Sequence, residues 1–268
     1  MFKDRPLILH LACCVLCFSA IDLLAQDRSL TPLQRRIREQ EQRLSSGDEE
    51  ERRDAVMQLG LLRHPEASRV AAAHLSDASI AVRVAAVNSV LSLPAEEIVT
   101  ALAPLLKDKN EFLRQETAYA LCNTGSRSAV GPLIDLVTSE KLPGPRGAAV
   151  VSLGKLRDES AVVTLAQLVD PSSSTSQKKR RSAETNEFVL RSAVRALGQI
   201  GSPAAVPALT FALTNEMNPL EVRREAAVAL GLIGDQAAKA VLTEATTSDD
   251  PYLAQAAHEA LRSLRVRR

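Results

Sequence analysis

From Asp48 to Leu264 the apolar and polar positions follow a block of about thirty residues that returns seven times. An apolar residue near the end of one predicted helix marks the register: Leu59, Val90, Leu121, Leu153, Leu197, Leu230 and Leu261, with gaps of 31, 31, 32, 44, 33 and 31 residues. Four places before the mark stand Ala55, Ala86, Thr117, Ala149, Ala193, Ala226 and Ala257. Seven places before it stand Arg52, Arg83, Arg114, Arg146, Leu190, Arg223 and Ala254. One place after it stand Gly60, Leu91, Cys122, Gly154, Gly198, Gly231 and Arg262. Columns of alanine and glycine at helical spacing mark faces where helices approach to about 8 to 10 Å.

The first helix of a copy ends in a compact signal, clearest in Leu197-Gly-Gln-Ile-Gly201 and Leu230-Gly-Leu-Ile-Gly234. Gly125, Gly201 and Gly234 supply the left-handed residue that stops a helix, and Pro94 stops another by removing a donor. Second helices are predicted over 67–75, 96–106, 129–137, 161–169, 205–213 and 237–246, with apolar residues three and four apart, as in Val130, Leu133, Ile134 and Val137. Each copy is therefore a helical hairpin. No hairpin buries its apolar stripe alone, so the chain is expected to fold as an all-α solenoid by stacking. Residues 26–47 read as a polar lead-in helix and linker, and 48–268 as the array, with Pro251 to Leu264 a last copy without a second helix. There His258 and Arg262 replace small or apolar residues, as a cap at about 250–268 requires.

The patterns Asp108-x5-Arg114-x2-Thr117-Ala118-x2-Leu121 and Val222-Arg223-x2-Ala226-Ala227-x-Ala229-Leu230-Gly-x-Ile-Gly234 resemble the HEAT repeat, in the short bacterial form named after phycobilisome lyases. The resemblance implies a right-handed superhelix of about six to seven antiparallel helix pairs, its second helices lining a concave side. It also implies a binding surface for a protein or peptide partner.

Composition adds little to the fold: 46% hydrophobic, 3% aromatic and no tryptophan suit helices packed through Ala, Leu and Val. A net charge of +1 gives the whole chain no pull toward nucleic acid, and no nucleic-acid partner is expected. The N-terminus changes the picture. Lys3 and Arg5 precede an apolar run from Leu7 to about Ala20, and Leu23-Leu24-Ala25 stands before Gln26, the order of a secretory signal over 1–25. The expected location is exported, periplasmic or extracellular in a bacterium, with no membrane contact beyond the signal; an uncleaved anchor or a lipoprotein is the alternative. Cys13, Cys14 and Cys17 fall inside the signal, so only Cys122 would remain and no internal disulfide forms. Cys122 reads as a small buried filler.

Candidate chemistry is sparse. Arg83, Arg114, Arg146 and Arg223 form a row of the kind that binds a polyanion, yet Asp77, Asp108 and Glu140 each precede an arginine by six residues. Charges of both signs repeating together read as a structural ion-pair ladder, as the HEAT resemblance also implies. The long gap holds an insertion at about 171–186 with Lys178, Lys179, Arg180 and Arg181, readable as a contact for an anionic partner or as solvated linker. HEAT-like deoxyhypusine hydroxylases hold two irons with several His-Glu pairs, and this chain has one, His258-Glu259. No His-Glu-x-x-His, Gly-x-Ser-x-Gly or Gly-Lys-Ser/Thr occurs, and the one Cys-x-x-Cys, Cys14 to Cys17, lies inside the apolar run of the predicted signal.

The residues thus assign no catalytic, metal-binding or cofactor-binding position and imply no cofactor. The expected function is a non-catalytic exported scaffold that binds a protein or peptide on its concave surface. The alternatives are a lyase-type enzyme or cofactor binder with a composite site, and a structural spacer in an envelope assembly. Sequencing the N-terminus of the protein isolated from its native cell should find Gln26 or a neighbour; a chain that still begins at Met1 refutes cleavage.

Overall fold

The structure, a computed structural model, describes residues 30–173 and 186–266. The export signal at 1–25 and the basic tract Lys178 to Arg181 lie outside the described residues. Among those described there are fourteen α-helices and no strand. The lead-in helix is α1 (Pro32–Leu44). Six hairpins follow: α2 (Glu49–Leu61) with α3 (Pro65–Ala72), α4 (Ile80–Ser89) with α5 (Ala95–Leu102), and α6 (Glu111–Cys122) with α7 (Val130–Ser139). Then come α8 (Pro143–Leu156) with α9 (Val162–Val169), α10 (Glu187–Ile200) with α11 (Val206–Thr214), and α12 (Leu220–Ile233) with α13 (Lys239–Ala245). A single helix, α14 (Pro251–Val266), ends the array.

Local chemistry sets the ends of these elements. Thr31 and Gln34 form a capping box at α1, and Asp48, Asn110 and Asn186 cap α2, α6 and α10 through side-chain oxygens. Gly201 and Gly234 close α10 and α12 at φ 79° and 80°, as the sequence predicts. Two arginines share that geometry unexpectedly: Arg157 ends α8 at φ 53°, and Arg63 follows α2 at φ 47°. The second helices also differ from expectation in detail. The first two finish in 3₁₀ turns (Ala73–Ser76 and Ala103–Lys107), and the last four begin in one. His74 therefore sits in a 3₁₀ turn, not in the α-helix.

The first helices stack on one another in chain order, and from the second hairpin onward each also packs against the second helix of the preceding repeat. All seven residues of the small column, from Ala55 to Ala257, are completely buried. The glycine column explains how closely the helices pass. A Cβ on Gly154 would lie 2.8 Å from Cα of Ala196; on Gly198, 2.9 Å from Cα of Ala229; on Gly231, 2.7 Å from Cα of Ala260. These contacts are with backbone, which cannot rotate away. Where serine replaces alanine opposite the column, its hydroxyl joins the helices: Ser89 Oγ donates to the Val56 carbonyl and Ser152 Oγ to the Ala118 carbonyl. Leu91 interrupts the glycine column, and there α4, the shortest first helix, touches α6 less than any other neighbouring first helices touch.

A second device spans the edge where each second helix hands over to the next first helix. Arg52 donates from Nε and Nη2 to both oxygens of Asp77 at 2.9 and 3.0 Å, and from Nη1 to the carbonyls of Ser46 and Gly47. Arg83 donates to the carbonyls of Asp77 and Ala78 and reaches Asp108 at 3.5 Å. Arg114 donates to the carbonyls of Asp108 and Lys109 and to Glu140 at 2.6 Å. Each acid thus accepts from the arginine of its own repeat, 25 or 26 residues earlier, and Asp77 and Asp108 also offer their carbonyls to the arginine six residues later. Arg146 and Arg223 turn their Nε the other way, to the carbonyls of Val137 and Leu213. In the sixth repeat Asp250 pairs with Arg224 instead, accepting from its Nε and Nη2 on both carboxylate oxygens.

Two glycine substitutions should have opposite signs. Gly198→Ala gains about 1 kcal/mol of helix propensity but overpacks a backbone contact, for a net loss of roughly 1 to 2 kcal/mol. Gly131, in α7, has open space around its Cβ position, so Gly131→Ala should stabilise by up to about 1 kcal/mol. Urea midpoints of the two variants test this. Acid should expose the ladder: the Arg52 guanidinium holds the Asp77 carboxyl down at about 2, below the ~3.9 of a free aspartate. A depressed native pKa stabilises the fold above the unfolded value, and that contribution disappears as pH falls from about 4 toward 2. Asp77→Asn should cost on the order of 2 kcal/mol at neutral pH and flatten this part of the acid limb in pH-dependent urea melts.

Candidate functional site

With the first helices committed to close packing, the second helices present the open side of the array. Along α3, α5 and α7 this side forms a groove in two parts. The part between α3 and α5, about 460 Å³, has Ala72, Leu93 and Ala101 beneath a rim of Arg69, Glu96 and Glu97. The part between α5 and α7, about 500 Å³, has Ala103, Leu106 and Leu136 beneath Lys107 and Asp135, with Pro104 and Pro132 on its walls. Thr100 lines both, so the groove is continuous across three repeats.

The local sequence explains why the groove stays open. Small residues at the facing positions of adjacent second helices leave a trough where larger ones would interdigitate. The Thr100 hydroxyl is spent on the Glu96 carbonyl of its own helix at 2.8 Å. On the rim, Arg69 reaches Glu97 at 3.3 Å, both half-exposed, a pair that orders the wall and contributes little stability. The Ser126 hydroxyl donates to Glu96 at 2.6 Å and, with Ser128, holds its carboxyl below the ordinary glutamate value. The next two second helices carry no charge, α9 reading VVTLAQLV and α11 VPALTFALT, with Val163 exposed, before α13 brings Lys239 and Glu244. The arrangement can hold an apolar segment between charged walls of both signs.

The residues singled out in the sequence lie elsewhere. Arg83, Arg114, Asp77 and Asp108 join one another along the handover edge, Arg146 and Arg223 bond to backbone carbonyls there, and Lys178, Lys179, Arg180 and Arg181 are outside the described residues. Cys122 is buried, its Sγ donating to the Tyr119 carbonyl at 3.1 Å. His64 caps α3 by accepting from the Glu66 amide, and His74 stands 3.7 Å from Asp77. Among the described residues no three His, Cys, Asp or Glu side chains gather as a metal would need, and no helix is long and apolar enough to cross a membrane. The groove itself escaped the sequence reading. Its only trace there is a surplus of Ala, Pro and Thr at outward positions of the second helices, which matches no motif.

A family model of HEAT repeats matches residues 37–122, 99–184 and 178–262. No curated protein matches the sequence. Among solved structures, the Escherichia coli protein YibA is 15% identical with a TM-score of 0.50, over 91% of this chain and 96% of that one. The complex of CpcE and CpcF of phycocyanin lyase from Nostoc sp. PCC7120 is 20% identical with a TM-score of 0.49, over 88% and 95%. Human deoxyhypusine hydroxylase is 20% identical with a TM-score of 0.43, over 86% and 84%. At these identities the likeness is one of fold. With three overlapping matches that together run from residue 37 to 262, the chain belongs to the HEAT-repeat family.

Proposed function

We propose that this protein is a non-catalytic scaffold, working outside the cytoplasm, that holds a segment of a partner protein in the concave groove of its first three repeats. The observation that carries the reading is the continuous groove from Arg69 to Ser139, with a floor of small and apolar side chains and charged groups confined to the walls. Three second helices at about 10 Å spacing give a trough roughly 20 Å long. That length accommodates about six residues of extended chain. Such a segment buries apolar side chains on the floor and meets Arg69, Glu97, Lys107 and Asp135 at its polar positions. The export signature of residues 1–25 supplies the location. A composite catalytic or cofactor site is the competing reading, and a metal or chromophore found in stoichiometric amount on the purified protein would favour it.

A photo-crosslinking side chain placed at Pro104, in the groove, should yield a discrete protein adduct in the native cell; one at the exposed Asn88 of α4 should not. Thr100→Glu, which sets a charge where the two halves meet, should cut the Pro104 adduct roughly tenfold, the scale of one buried unpaired charge. Its melting temperature should stay unchanged, since Thr100 is exposed. Adducts of equal yield at both positions, or an adduct indifferent to Thr100→Glu, would sink the proposal.

A further inference from the structure

The exposed apolar side chains are not scattered. Among the described residues, Phe112, Leu142, Phe188, Met217, Leu220 and Tyr252 are all solvent-exposed, and all stand on the handover edge, in or just before the first turn of α6, α8, α10, α12 or α14. Stacked first helices repeat at about 10 Å, so these side chains form a row roughly 40 Å long. Packing fixes their direction. Phe188 and Tyr252, nine places before their register marks, lie over the residues six places before the preceding marks, Gly147 and Arg224. Phe112 holds the same position in α6. Apolar groups kept in place and left in water cost little ordering entropy when a partner covers them.

The free charges of the same loops are sorted by sign. Lys109 and Lys141 stand at the third and fourth loops of the edge, Glu216 and Asp249 at the last two, all four exposed and without an ion pair among the described residues. Their spacing from the apolar row is also matched: Lys109 and Asp249 precede Phe112 and Tyr252 by three residues, and Lys141 and Glu216 precede Leu142 and Met217 by one. Glu111 and Glu187, which begin α6 and α10, are further exposed acids on the edge, outside the loops. Turned end for end, the row therefore complements itself.

We infer that the handover edge from the third repeat to the last docks a second copy of this chain, antiparallel, about a two-fold axis near Phe188. Phe112 then meets Tyr252, Leu142 meets Met217 and Leu220, and the two Phe188 rings face each other. Lys109 falls opposite Asp249 and Lys141 opposite Glu216, so each contact occurs twice and like charges are kept apart. The six side chains leave roughly 500 to 600 Å² of apolar surface on each copy. With the flanking polar groups this approaches the ~800 Å² per partner of an ordinary stable interface. An anionic bilayer would repel the half that carries Glu216 and Asp249, whereas a second copy brings cations to it. The inference does not rest on the concave groove.

The test is sedimentation velocity of the protein, expressed with its leader and purified after export, over a range of concentrations. A dimer should form reversibly. Lys141→Glu and Glu216→Lys should each weaken it roughly tenfold or more, since each sets like charges together twice. The double variant, with the pair exchanged, should recover the parent's affinity, which a merely structural effect would not do. Both side chains are exposed, so all three variants should melt as the parent does. Phe112→Ser should weaken the dimer roughly tenfold, and Met57→Ser, equally exposed on the first repeat, should not. The insertion with Lys178 to Arg181 joins the edge between Ser173 and Asn186; replacing its four cations by serine should leave the dimer no weaker. A monomer at every concentration up to about 100 μM, a double variant as weak as the single ones, equal effects of Phe112→Ser and Met57→Ser, or loss of the dimer with the four cations would overturn the inference.

Discussion

The rest of the structure depends on how closely consecutive first helices pass. At Gly154, Gly198 and Gly231 there is no room for a Cβ, because the next helix presents the backbone of Ala196, Ala229 or Ala260 at less than 3 Å from where it would sit. Approach this close extends van der Waals contact along whole helix faces, so an array with no tryptophan and few aromatic residues still buries a continuous core. It also fixes the spacing of everything attached to the first helices. The second helices and the handover loops inherit the period because they are tied by short turns to elements that cannot move apart. Of the positions where another residue replaces glycine in this column, Leu91 is where neighbouring first helices touch least.

Electrostatics follows from that spacing. A guanidinium reaches from one handover loop to the next only if successive loops keep a constant separation, and the first three repeats meet the condition with Arg52, Arg83 and Arg114. The ladder therefore orients the repeats more than it binds them together: its carboxylates are partly solvated, and the desolvation of each pair offsets much of its attraction. Burial alone would raise the Glu140 carboxyl, yet the Arg114 guanidinium and the amides of Leu142 and Lys141 hold it below the ordinary value. One group in the row remains unsatisfied: Arg83 Nε is buried without a partner, and its pairing with Asp108 is the longest in the ladder.

Legibility in the sequence divides along the same line. Packing columns recur at fixed spacing because every repeat meets the same neighbour, so the alanines, the glycines and the all-α solenoid could be read without coordinates. The ladder residues were legible as a row, but not the direction of their bonds. An acid six residues before one arginine and 25 after another fits either partner, and only the path of the loops decides. Adjacent arginines at 223 and 224 hid the change of partner at Asp250. Left-handed caps were legible where glycine occupies them; Arg63 and Arg157 adopt the same geometry against their own preference, held by the turn. The groove was not legible at all, since its lining comes from three repeats and its composition resembles ordinary helix surface.

Because stacking is carried by the first helices and register by the handover edge, neither constrains the outward face of the second helices. That face is free to vary between repeats, and it does: charged walls flank the groove in the first three, while α9 and α11 carry no charge at all. A partner that follows the concave side would pass from a region where charge sets its register to one where only apolar contact holds it. On the proposed binding mode, specificity would reside at the charged first three repeats, where mispairing would leave a buried charge unsatisfied. The two uncharged second helices would add contact area without selecting sequence. The division of labour among the three faces is what a repeat fold permits, since each face answers to a different column of the same thirty-residue block.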